Sequence, residues 1–199
     1  MQHKNTVKNT GDILDGFDYR LLDRAANGDN QAFEKLVVPH ERMMYALALR
    51  LCQNKEDAED CLQDAMIRVY KSLSSFRGDS AFSTWLYRIV TNTCLDSHRR
   101  KKHRYSESLD SLSESGWNAP DTGLTPEQSA VNSDLKRALN EAIKTLPGDI
   151  RAAVVLRDVQ GFSYEDVSEI LGINIGTVKS RLSRGREKIR SYLIGRMEL

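Results

Sequence analysis

The 199-residue sequence predicts an all-α protein, with two small helical domains joined by a flexible acidic linker and a helix-turn-helix in the C-terminal domain. Three observations predict it. Apolar residues recur at helical spacing through residues 17–104 and again through 129–197. No stretch shows sustained strand alternation with hairpin turns. Between the two sections, residues 105–128 are rich in serine and acid, with little to bury.

The composition is that of a foldable chain, 40% apolar and 29% charged, neither disordered nor membranous. Its net charge of +1 says little about partners, so the segregation of charge along the chain carries the information. No apolar run approaches the roughly 20 residues of a membrane span. Met1 to Gly16 is polar and lacks the apolar core of a signal peptide, so a cytoplasmic protein without membrane insertion is expected. The three cysteines (Cys52, Cys61, Cys94) are odd in number and have no CxxC spacing. They are expected as buried thiols, with a disulfide or zinc site as the lesser alternative. Four histidines without metal-ligand spacing, and no Gly-rich phosphate loop, lead to no enzyme, no cofactor and no metal being expected.

The first informative helix spans about Glu56 to Leu73. Ala58, Leu62, Ala65, Met66 and Val69 share one face, while Asp57, Asp60 and Asp64, with Gln63 beside them, share the opposite one. A turn-rich loop, Ser74 to Ser80, follows and carries Phe76, Arg77 and Asp79. The second helix spans about Ala81 to Arg100, with Phe82, Trp85, Leu86, Ile89 and Val90 as its stripe and Arg88, Asn92 and Arg99 on a polar flank. Trp85 reads as core or as a stacking residue. The helix runs into His98–Arg104, with five Lys or Arg in seven residues, more than a helix dipole needs. A polyanion contact explains the excess.

The linker Tyr105–Gln128 holds five serines and five acidic residues, with no Lys or Arg. It reads either as a solvated tether or as an acidic strand suited to a basic, nucleic-acid-sized channel in a partner.

The last third holds the helix-turn-helix. Ser163 is placed to N-cap a helix whose third residue, Asp166, completes an acidic capping box. Val167, Ile170 and Leu171 form its inner face, and Gly172 suits the left-handed C-cap. Another helix then spans about Ile175 to Leu193, with Val178, Leu182, Ile189 and Leu193 as a narrow apolar stripe. Seven Lys or Arg lie between Gly176 and Arg196, opposed only by Glu187. Such a helix suits the major groove, where Arg and Lys reach guanine edges and phosphates and Ser and Thr reach either.

Two runs carry a resemblance. Ala58–Lys102, AEDCLQDAMIRVYKSLSSFRGDSAFSTWLYRIVTNTCLDSHRRKK, resembles region two of bacterial sigma factors. Gly161–Arg190, GFSYEDVSEILGINIGTVKSRLSRGREKIR, resembles their region four. With little before or between them, the chain resembles the extracytoplasmic function group over about residues 20 to 195.

The resemblance implies a factor that recruits core RNA polymerase to promoters. Asp57, Asp60, Gln63 and Asp64 then match the surface that docks on the clamp helices of the polymerase β′ subunit. Phe76, Arg77, Asp79, Ser80, Arg88, Asn92, Arg99, Arg100 and Lys101 match the part that reads and opens the −10 element. Thr177, Lys179, Ser180, Arg181, Ser183 and Arg184 match the −35 helix. The acidic linker matches the segment threading toward the RNA exit channel, and contact with the β subunit and with an anti-sigma factor is implied. The sparse aromatics imply weaker melting and stricter promoter choice than in primary sigma factors.

Two other readings stay open. A stand-alone helix-turn-helix regulator leaves the acidic face and the loop-plus-basic-helix unit without a purpose. A magnesium site on Asp57, Asp60 and Asp64 lacks a partner histidine or a second carboxylate cluster.

Overall fold

The computed structural model describes residues 18–107 and 126–197, with side chains over 18–101 and 134–196. The described residues are helical, without a strand. In the N-terminal domain α1 (Tyr19–Ala26) and α2 (Asn30–Cys52) precede α3 (Lys55–Ser72), a 3-10 turn (Leu73–Ser75) and α4 (Phe82–Glu107). In the C-terminal domain α5 (Pro126–Lys144) leads to α6 (Gly148–Val154), which passes into a π-turn (Val155–Val159) before α7 (Tyr164–Leu171) and α8 (Ile175–Met197). The expected linker is helical at both edges, because α4 continues through Glu107 and α5 starts at Pro126. Its middle, residues 108–125, lies outside the described residues, as does Met1–Phe17.

Short polar side chains start the helices by accepting otherwise unpaired backbone N–H groups. Asp18, Asp29 and Asn54 do so for α1, α2 and α3. The expected capping box forms: Asp166 N lies 3.0 Å from Ser163 Oγ and Ser163 N 3.1 Å from Asp166 Oδ2. Gly172 takes the left-handed C-cap at φ 63°.

Helices α2, α3 and α4 bury Met44, Leu47, Val69 and Leu86 completely. The buried face of α3 is centred on Ala58, Cys61, Ala65 and Val69, with Leu62 and Met66 at its margin. In the C-terminal domain, Val154, Leu156, Ile170 and Leu182 are at most 1% exposed. There α8 crosses α6 so closely that a Cβ on Gly185 would lie 2.5 Å from Val154 Cγ2 and 3.0 Å from Ile150 Cγ2.

The two cores join into one apolar cluster. Thr84, Tyr87 and Thr91 share a second buried face of α4. Tyr87 meets the Phe162 ring edge-on at 4.6 Å and donates from Oη to Gln160 Oε1 at 3.1 Å. Gln53, just past α2, donates from Nε2 to the Lys144 carbonyl.

The α6–α8 crossing yields a paired prediction. Alanine normally favours a helix over glycine by about 1 kcal/mol. Gly195→Ala, with nothing within 4 Å of the added Cβ, should therefore hold or raise the melting temperature. Gly185→Ala should instead lower stability by about 1–2 kcal/mol net, because overpacking a tight contact outweighs propensity. Thermal denaturation of both variants checks this, and equal midpoints would contradict the close crossing.

Candidate nucleic-acid interface

The helix-turn-helix is held from behind. The π-turn carries Asp158, whose carboxylate receives a two-pronged contact from Arg186 of α8, at 3.0 Å from Nε and 2.6 Å from Nη2. Arg157 lies over the Tyr164 ring at 4.8 Å and donates to the Phe162 carbonyl. Asn174 starts α8 by accepting from Thr177 N at 2.8 Å and Thr177 Oγ1 at 3.0 Å. Val178 and Leu182 are buried, which turns the opposite side of α8 outward.

The six sequence-predicted residues of α8 divide. Lys179, Ser183 and Arg184 are exposed, and Lys179 also lies 5.9 Å over the Tyr164 ring. Thr177 and Ser180 are half-buried, with Ser180 Oγ donating to the Thr177 carbonyl at 3.0 Å. Arg181 reaches back 3.3 Å to Asp149 of α6, its side chain only 20% exposed. Arg184 is thus the exposed arginine of this set, free to approach a base edge or phosphate.

In the N-terminal domain a groove of about 600 Å³ opens between the end of α3, the following loop and the start of α4. Arg68, Lys71, Arg77 and Arg88 make its wall cationic, while Asp79, Ser80, Trp85 and Asn92 supply polar and aromatic surface. A groove lined by cations, an aromatic and an amide has the chemistry to hold an unstacked nucleotide. Phe76 is placed differently from a solvent-facing loop aromatic. Its ring is 8% exposed and packs on Phe82 at 5.3 Å and Trp85 at 5.4 Å, because a loop between two packed helices gains most by burying its one large apolar group. Trp85 packs as core, stacked on Phe82 at 5.6 Å, and one side of it also lines the groove. Glu169 of α7 stands at the rim and brings a carboxylate from the other domain toward the cations.

On α3, Asp60, Gln63 and Asp64 are exposed, and Asp57 is half-buried, accepting from its helix cap, Asn54. The basic end of α4 bends this surface to a second use. Lys101 pairs with Asp57, and Arg100 approaches Asp64 at 3.9 Å. Arg99 instead joins Asp96 at 3.6 Å, which also receives Arg68 at 3.1 Å. Residues predicted for DNA and for polymerase therefore touch each other. These exposed pairs are worth at most about 1 kcal/mol each, so either partner can be given up to a larger surface.

Sequence reasoning missed three features here. Glu169 reads as an ordinary solvated helix residue until α7 is seen against the groove. Arg151 reads as a surface arginine, yet it is 2% exposed, with Nη1 3.4 Å from the Lys144 carbonyl and Nε without a partner. The three cysteines converge, although no spacing signals it. No described helix is long and apolar enough to cross a membrane.

Comparison with known proteins agrees with this architecture. Residues 36–104 match the family model Sigma-70 region 2, and residues 136–189 match Sigma-70, region 4. The RNA polymerase sigma-H factor of Pseudomonas aeruginosa is 35% identical over 88% of this chain and 93% of its own length. The ECF RNA polymerase sigma-E factor of Haemophilus influenzae is 38% identical over 88% of this chain and 95% of its own. Among solved structures, the sigma factor RpoE of Bartonella quintana, in complex with the anti-sigma factor NepR, has a TM-score of 0.65 at 28% identity, covering 81% of this chain and 96% of that one. Two region matches in order, and full-length relatives well above 30% identity, place the chain in the extracytoplasmic function group of RNA polymerase sigma factors, the proteins that give the polymerase its promoter specificity.

Proposed function

We propose that this sigma factor divides its work among three surfaces: exposed acids of α3 for the polymerase, the α3–α4 groove for the −10 element, and the outer face of α8 for the −35 element. The carrying observation is the exposed acidic face formed by Asp60, Gln63 and Asp64 beside the basic end of α4. A protein that only binds DNA has no use for carboxylates so near its cations. A factor that must also hold a protein clamp does, which weighs against a stand-alone regulator.

In this reading Arg88 and Arg77 track the exposed strand, Asn92 offers an amide to a base edge, and Trp85 supports the flipped base from the side of the core. Phe76 supports Trp85 from below. Arg184, Lys179 and Ser183 approach the −35 major groove, with Thr177, Ser180 and Arg181 framing them. Arg99, Arg100 and Lys101 exchange their carboxylate partners for phosphates when DNA arrives. The acidic segment around residues 105–128 threads toward the RNA exit channel beside the β subunit. The chain contributes recognition and strand capture and leaves the chemistry to the polymerase, without a catalytic residue of its own. It acts in the cytoplasm with the polymerase, under an anti-sigma partner such as the one bound to the Bartonella relative.

Asp60→Lys together with Asp64→Lys should abolish holoenzyme assembly, measured by co-migration with core polymerase, while circular dichroism stays unchanged. Undiminished assembly would move the docking face elsewhere. Arg184→Ala should weaken −35 binding by about 1–3 kcal/mol if the guanidinium reads a base. Binding of holoenzyme to promoters varied across the −35 element checks this, since an equal loss on every variant marks a phosphate contact instead.

A further inference from the structure

Three cysteines from three helices meet inside the N-terminal domain. Cys52 ends α2, Cys61 lies on the buried face of α3 and Cys94 on the buried stripe of α4. Their Sγ atoms all lie within 4.8 Å of one another. Cys61 and Cys94 are 2% and 3% exposed, and Cys52 is half-buried at the edge. We propose that Cys52, Cys61 and Cys94 form a three-thiolate site for a thiophilic divalent cation of the zinc class.

The geometry fits. Zinc–sulfur bonds of about 2.3 Å in tetrahedral array place sulfurs about 3.8 Å apart, so each pair closes by about 1 Å at most, within reach of small side-chain rotations. A disulfide uses two sulfurs and leaves the third unexplained; a metal uses all three. Cys52, the half-buried member, gives the cluster its edge toward solvent and a metal its path of entry.

The electrostatics fit as well. A divalent cation replaces the thiol protons on binding, so occupancy should rise with pH. Arg151 supplies the second observation. It comes from α6 of the C-terminal domain, is 2% exposed, and has an unpaired Nε. Its guanidinium lies near enough to Cys52 for the two to interact electrostatically. A divalent ion on three thiolates carries one net negative charge, which compensates the buried guanidinium.

The site lies behind the join between domains. Gln53, next to Cys52, and Arg151 both donate to the Lys144 carbonyl. A loaded site therefore draws Arg151 inward and favours the packed arrangement of the domains.

The test uses the reduced, metal-free full chain titrated with Cd²⁺, whose thiolate charge-transfer band reports sulfur ligation in the ultraviolet. The expected result is one Cd²⁺ per chain with that band, the same band when Cd²⁺ displaces Zn²⁺ from a Zn²⁺-loaded chain, and a melting temperature raised by Zn²⁺. Cys61→Ser and Cys94→Ser should lose the band. Cys52→Ala, the least buried position, should lose it while keeping the helical spectrum, which separates lost ligation from lost folding. A reduced, folded wild-type chain that gives no band would overturn the proposal, as would a band that survives in Cys52→Ala.

Discussion

Much of this structure depends on how much of α4 must be buried at once. Phe82, Leu86, Val90 and Cys94 seat the helix on α2 and α3, and Thr84, Tyr87 and Thr91 present a second buried face. What remains is a polar arc, and Arg88 and Asn92 lie on it at the groove. Their direction is set by the burial of their neighbours: rotating α4 to expose them further would pull Leu86 and Val90, both fully buried, into water. At roughly 25 cal/mol per Å² of apolar surface this costs several kcal/mol. The polar wall of the groove is therefore positioned by the core rather than by its own contacts.

The same economy governs charge. A net charge of +1 conceals strongly cationic surfaces because acids lie against them. Arg100 meets Asp64, Arg181 meets Asp149, and Glu169 stands at the rim of the cationic groove. Solvent-exposed pairs of this kind are weak and screened by salt. They keep the free chain near neutrality while leaving either member free to exchange partners.

Local features were legible in the sequence because their causes are local. The Ser163–Asp166 box, the Gly172 cap and the Val178–Leu182 stripe each lie within a turn or two of helix, where spacing reports geometry. The acidic face of α3 was legible for the same reason. The long-range features were not. Tyr87 sits among threonines, so the second buried face of α4 leaves no apolar periodicity. Phe76 in a Ser- and Gly-containing loop reads as exposed until Phe82 and Trp85 are brought around it. Cys52, Cys61 and Cys94 lie on three helices, and only the packing of α2, α3 and α4 makes them neighbours. Arg151 differs from a surface arginine only through the domain packed over it.

As a sigma factor, this one chain couples polymerase binding to promoter recognition. Run-off transcription with purified core polymerase and a promoter fragment tests it most directly. A discrete promoter-dependent transcript is expected that appears only when the chain is added and disappears when the −35 element is scrambled. Absence of that transcript, with DNA binding by the chain intact in the absence of polymerase, would contradict it.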